Sequence, residues 1–82
     1  MSDSLARYLA RQVRAERARL GLSQEALGAR LGWSKSAVSA LELGTRRVFA
    51  AEMPELCQAL DVSLLDLLAR ADVADRRAMK LP

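Results

Sequence analysis

The 82-residue chain has no histidine and only one cysteine, Cys57. Zinc sites and histidine-based catalysis therefore lack their usual ligands and bases, and we expect neither a metal, a cofactor nor an enzymatic activity. A single cysteine cannot form a disulfide within the chain, which favours a reducing compartment. Since no long apolar run and no signal-peptide pattern occurs, we expect a cytoplasmic protein.

The net charge is only +3, but the charged side chains are unevenly distributed. Residues 1–51 carry nine basic and four acidic side chains, whereas residues 52–82 carry four basic and six acidic ones. A basic half attracts polyanions such as nucleic acid. The length fits one small domain with a modest core, too short for a second, ligand-sensing domain.

Residues 23–44, SQEALGARLGWSKSAVSALELG, predict two short amphipathic helices. Leu27 and Leu31 fall on one face of the first helix, and Val38 and Leu41 fall on one face of the second. Only a few residues separate the two helices, so they must cross sharply.

The turn between these helices has the residues that such a crossing needs. Gly32 can adopt the positive φ that ends a helix, and the Ser34 hydroxyl can cap the next one. Gly28 costs about 1 kcal/mol inside a helix relative to alanine, which predicts a close approach of the backbones there. The pattern is that of a helix-turn-helix.

From about residue 13 to residue 68 the chain resembles the phage-repressor and Cro-type regulators, often called Xre-like. The flanking words GLSQE and SALELG share the resemblance, and the helix-turn-helix pattern is matched at Leu27, Gly28, Leu31, Gly32, Val38 and Leu41. The resemblance implies an all-α, compact five-helix lambda-repressor-like DNA-binding domain over residues 1–71, with the helix-turn-helix at helices 2 and 3. Residues 72–82 would be a C-terminal tail.

Helix 1 is predicted to run from a cap at Ser2 or Asp3 to about Arg19, with an apolar side and a stripe of solvated arginines. Arg17 lies at the margin of the apolar side. In similar proteins an arginine at this place pairs with a glutamate near the end of the recognition helix. The resemblance therefore implies a structural salt bridge from Arg17 to Glu42.

The third helix, from Lys35 to about Leu43, is the candidate DNA reader. Its inward strip leaves a set of short or basic side chains outward or at the amino-terminal end, namely Ser34, Lys35, Ser36, Ser39 and Ala40. Lysine can donate to guanine, serine can bond to several bases, and an alanine methyl can touch a thymine methyl. Because serine is an ambiguous reader, we expect modest direct readout, supplemented by phosphate contacts and DNA shape.

Three further residues are candidate contacts to the DNA backbone. Gln24 lies at the amino-terminal edge of helix 2, where a phosphate can bind, and the resemblance also assigns it a backbone contact. Arg46 and Arg47 follow the recognition helix as candidate phosphate clamps or a minor-groove probe. The structural alternatives are an exposed first-turn glutamine and a solvated loop pair. Trp33 is interpreted as a partly buried packing residue beside the turn.

Helix 4 is predicted over about residues 50–60, but Pro54 favours a start near residues 51–53 or a kink. Helix 5, residues 64–71, is apolar on more than one face, and its surplus leucines predict a homodimer interface formed by Leu64, Leu65 and Leu68. Residues 72–82 fit either a final short helix or dimer arm, or a frayed tail.

The leading hypothesis is a sequence-specific transcriptional regulator, in particular a repressor that binds a pseudo-palindromic operator in double-stranded DNA as a homodimer. Phage repressor, restriction-modification controller and antitoxin are all roles that fit this size. The alternative from another class is an antitoxin or protein-interaction module that docks a partner through helix 5 and the termini. That alternative gives the basic residues Lys35, Arg46 and Arg47 no task.

Overall fold

In the computed structural model, which describes residues 4–81, the chain folds into six α-helices and contains no strand within that range. The helices are α1 (Ser4–Leu20), α2 (Gln24–Leu31), α3 (Lys35–Glu42), α4 (Met53–Ala59), α5 (Leu64–Ala69) and α6 (Val73–Ala78). The predicted all-α class is confirmed, but these residues form six helices rather than five. The predicted cap at Ser2 or Asp3 lies outside the described residues.

The main core forms where the apolar stripes of the first four helices meet. Its side chains are almost completely buried and comprise Val13, Leu27, Val38, Leu41, Leu56, Ala59 and Leu60. Leu27, Val38 and Leu41 are residues that helical spacing places on the inward faces of the two central helices. The helix-turn-helix is therefore held from behind by both α1 and α4.

A smaller cluster of Leu9, Cys57 and Leu67 joins α1, α4 and α5. The Tyr8 hydroxyl, buried in the same region, donates a hydrogen bond to the Leu67 carbonyl oxygen. Burial raises the pKa of the Tyr8 hydroxyl and that of the Cys57 thiol. Cys57 is thus a core residue that packs as a small apolar side chain.

The turn between α2 and α3 is short and brings the two backbones close together at Gly28, as the sequence predicts. Gly32 ends α2 in the left-handed conformation, with φ of 72°. The Trp33 backbone N–H donates to the Gly28 carbonyl oxygen at 2.8 Å, which draws the turn across Gly28. A Cβ on Gly28 would lie 2.6 Å from the Trp33 carbonyl oxygen, so only glycine fits without a backbone shift.

Pro54 does not interrupt helix 4, because α4 starts only at Met53. A 3-10 turn over Ala50–Glu52 precedes the helix, and Pro54 lies in the first helical turn, where its missing N–H costs little. The sequence left these two outcomes, a late start or a kink, open.

The sixth helix arises because its first turn is capped. The Asp72 carboxylate accepts from the Asp75 N–H at 2.7 Å, and the Asp75 carboxylate accepts from the Asp72 N–H at 3.4 Å. Asp75 also forms a salt bridge with Arg11 of α1 at 2.5 Å. Of the alternatives for residues 72–82, the short helix is therefore the one that forms, and it packs on α1.

Candidate functional site

The outer face of α3 carries the candidate reading residues because its inner face is committed to the core. Val38 and Leu41 are buried, whereas Ser34, Lys35 and Ser36 are exposed. Ser34 caps the helix, since its hydroxyl oxygen accepts from the Ala37 N–H at 3.1 Å. The structure gives Lys35 no salt bridge to any residue in 4–81, so its ammonium group faces solvent with its charge unneutralised.

Five of the predicted site residues lie together. A shallow surface depression is lined by Gln24, Lys35, Ser36, Ser39, Ala40, Leu43 and Thr45. Ser39 and Ala40 are half-buried in its floor. Ser34, Arg46 and Arg47 do not line it, so the predicted residues form a central patch with flanking groups rather than one continuous lining.

Gln24 is held by a partner that sequence analysis did not foresee. Its Nε2 donates to Oε1 of Glu42 at 3.2 Å. This bond uses one of the two amide hydrogens and fixes the side chain at the edge of the depression. The other N–H remains available to an anion placed beside the first turn of α2.

Glu42 is the centre of a buried polar network. Arg17 donates from Nε to Oε2 at 2.6 Å and from Nη2 to Oε1 at 3.0 Å, which is a bidentate pair. Arg14 donates to the Glu42 backbone oxygen at 3.1 Å. Burial alone would raise the pKa of Glu42, but the hydrogen bonds from Arg17 and Gln24 outweigh it, and the pKa is lowered.

The two loop arginines have different surroundings. The Arg46 guanidinium lies over the Trp33 ring, with Cζ 3.8 Å from the ring centroid, and its Nη2 pairs with Oε2 of Glu52 at 3.2 Å. Trp33 itself packs against the main core. Arg47 is exposed and has no salt bridge within the described part of the chain. Nothing in the sequence distinguishes the two adjacent arginines in this way.

The α5 leucines lie away from this patch. Leu65 is 80% exposed and Leu64 is 44% exposed, whereas Leu68 is half-buried. An apolar groove beside them is lined by Leu5, Met53, Leu64, Leu68, Met79 and Leu81. Met79 and Leu81 thus lie beside part of the α5 surface that the sequence left without a partner.

Two residues that line the depression, Leu43 and Thr45, were not among the residues predicted from the sequence. Leu43 is 69% exposed at the end of α3, where it falls outside the inward strip of Val38 and Leu41. The exposure of Leu43 could therefore have been predicted from helical spacing alone. Thr45 is placed by hydrogen bonds from its N–H and hydroxyl to the Ala40 carbonyl oxygen, which no sequence pattern indicated.

The side chains that line this depression are mostly polar, and Lys35 is the charged one among them. Residues 4–81 contain no group of three or more His, Cys, Asp or Glu side chains placed to hold a metal ion. Nor does any helix in that range have the length and apolarity needed to cross a bilayer.

Comparison with known proteins identifies one family. A family model described as a helix-turn-helix domain matches residues 8–71, which includes α1 to α5 apart from the first residues of α1. No curated protein and no solved structure was found to match the chain.

Proposed function

The chain belongs to the helix-turn-helix domain family, and on that basis we propose that it is a DNA-binding transcriptional regulator, specifically a repressor of the phage-repressor and Cro type. The observation that supports this proposal is the outer face of α3, where Lys35 and Ser36 lie exposed beside Gln24. A helix with this arrangement can enter the major groove with its first turn against the base edges.

Each residue of the face has a proposed task. Lys35 donates to guanine O6 and N7, Ser36 and Ser39 bond to base edges, and the Ala40 methyl contacts a thymine methyl. Gln24, with one amide hydrogen still available, holds a backbone phosphate. These contacts position α3 and give it a modest preference for sequence.

We propose that the functional unit is a homodimer. The exposed Leu64 and Leu65, together with the half-buried Leu68, offer an apolar patch that a second copy would cover. A two-fold dimer would present two α3 helices to half-sites about 34 Å apart, which corresponds to a pseudo-palindromic operator. The antitoxin or interaction-module alternative is not favoured, because the matched family is a helix-turn-helix domain and that alternative leaves Lys35 without a task.

The test is a selection from random DNA. Fluorescence-anisotropy titration of the protein against a pool of random duplexes at low and raised salt, followed by sequencing of the bound fraction, should yield a palindromic motif that survives the higher salt. Weak binding that disappears with salt and enriches no motif would contradict operator recognition.

A matched pair of variants then tests the reading face. Lys35→Ala should weaken binding to the selected site by about tenfold or more and relax the preference at one base position. Arg7→Ala removes the same charge from an exposed position of α1, outside the depression, and should leave the selected motif unchanged. Equal effects of the two variants would mean that Lys35 contributes only bulk charge.

A further inference from the structure

The loop between α3 and α4 contains one side chain, Arg46, that contacts two other segments and the next residue of its own loop. The Arg46 guanidinium lies on the Trp33 ring, in the turn between α2 and α3, with Cζ 3.8 Å from the ring centroid. Its Nη2 donates to Oε2 of Glu52 at 3.2 Å, immediately before α4. Its Nη1 donates to the backbone carbonyl oxygen of Arg47 at 3.1 Å.

These contacts leave Arg46 poorly suited to bind phosphate. One face of the guanidinium is covered by indole, and the Glu52 carboxylate neutralises its charge through two hydrogen bonds. The Glu52 pKa is lowered by hydrogen bonds from Arg46 and from the Phe49 N–H, so the carboxylate stays ionised at neutral pH. A phosphate would have to displace this carboxylate.

Arg47 has the opposite surroundings. Its side chain is exposed and has no salt bridge within residues 4–81. Its backbone is held at both sides, because Arg46 bonds to its carbonyl oxygen and the Arg46 N–H donates to the Ala40 carbonyl oxygen at 3.2 Å. The free charge therefore projects from a fixed point of the loop.

We infer that Trp33, Arg46 and Glu52 form a clip that positions the loop, and that Arg47 alone is its contact to a DNA phosphate. Arg46 is a positioning residue, which acts through the peptide of Arg47. Trp33 is held in place because its side chain packs on the core and its backbone N–H donates to the Gly28 carbonyl oxygen. The assignment to DNA rests on the proposed function, whereas the clip itself exists without DNA.

The experiment compares variants of the full chain on a fixed duplex of about 20 base pairs, with the salt dependence of the binding constant as the first readout. Arg47→Gln should lower the magnitude of the slope of log K against log salt by about 0.9, the loss of one phosphate contact. Arg46→Gln combined with Glu52→Gln keeps the net charge and should leave the slope unchanged, while binding weakens several-fold at every salt concentration.

Conservative variants separate positioning from contact. Lysine binds phosphate as a point charge but lacks the planar fork and stacking of arginine. Arg47→Lys should therefore bind as the wild type does, whereas Arg46→Lys should weaken binding. If Arg46→Lys binds normally, or if the double variant flattens the salt slope as Arg47→Gln does, Arg46 contacts phosphate and the inference is wrong.

The second readout requires no DNA. Trp33 is the single tryptophan, so quenching of its fluorescence by acrylamide reports how well the guanidinium covers its ring. Quenching should increase in Arg46→Lys and in the double variant and stay unchanged in Arg47→Gln. Unchanged quenching in the first two would refute the clip. Absence of any DNA binding by the wild type would instead refute the proposed function and, with it, the role of Arg47.

Discussion

Arg17 and Glu42 join the first helix to the recognition helix through two hydrogen bonds, of 2.6 Å and 3.0 Å, at a site where the Glu42 side chain is only 3% exposed. The pair that the family resemblance implied thus lies in contact. Arg17 also donates to the Leu22 carbonyl oxygen at 2.9 Å, so it ties the segment before α2 to the same point. The Glu42 carboxylate therefore links α3 to α1 and, through Arg17, to the segment before α2.

The pair gives the first prediction. Glu42→Gln should lower the free energy of unfolding by about 3 kcal/mol, because it leaves the Arg17 guanidinium partly buried without its counter-charge. Urea denaturation followed by circular dichroism measures this loss. Arg7→Ala, at an exposed position of α1, serves as the control and should change stability by no more than about 0.5 kcal/mol. A similar small change in Glu42→Gln would show that the ion pair contributes little.

The lowered pKa of Glu42 predicts how this contribution varies with pH. The folded-state pKa lies below the unfolded value of about 4.3, so the stabilisation is complete above that pH and is lost as the pH falls through the folded-state pKa. The difference in stability between the wild type and Glu42→Gln should therefore narrow below about pH 4.3. Urea denaturation over a pH series checks this, and a constant difference into the acid range would contradict it.

Gly28 gives the third prediction. An alanine in an exposed helix interior stabilises it by about 1 kcal/mol relative to glycine, but at Gly28 the added Cβ would lie 2.6 Å from the Trp33 backbone oxygen. Gly28→Ala should therefore destabilise the protein, by about 1–3 kcal/mol. The thermal unfolding midpoint is the measurement. A higher midpoint would mean that the turn can move away from α2 at low cost.

The proposed dimer gives the fourth prediction. Leu65 is 80% exposed, so Leu65→Lys should leave the fold intact and shift the chain from dimer to monomer in sedimentation equilibrium. Leu43→Lys changes a similarly exposed leucine at the end of α3 and should leave the dimer intact. If both variants sediment as the wild type does, the α5 leucines are not the subunit interface.

The elements that could be predicted from the sequence are those with local causes. The Ser34 cap is one of them, since its hydroxyl oxygen accepts a backbone N–H and α3 begins immediately after it. Helical spacing identified the core side chains of α2 and α3, because burial of a stripe depends only on the period. The effect of Pro54 is also local, because proline is tolerated in the first turn of a helix but kinks its interior. The sequence therefore predicts either a late start of helix 4 or a kink.

Contacts between segments distant in the chain could not be predicted in the same way. The stacking of Arg46 on Trp33 depends on the path of a loop and on two side-chain rotamers, neither of which a spacing pattern encodes. The bond from Gln24 to Glu42 likewise requires the crossing angle of α2 and α3. The sequence leaves a final helix and a frayed tail as alternatives after residue 71, and the reciprocal cap found there uses Asp75, a shorter acid than the usual glutamate or glutamine of a capping box.

The rate at which Cys57 reacts with a thiol reagent can report local opening of the protein core. Cys57 is 6% exposed between Leu9 and Leu67, and burial raises the pKa of its thiol. A thiol reagent attacks the thiolate, so the reaction is expected to need a local opening of the structure around Cys57. The rate of labelling therefore counts those openings, and it does so at a single atom of the native sequence.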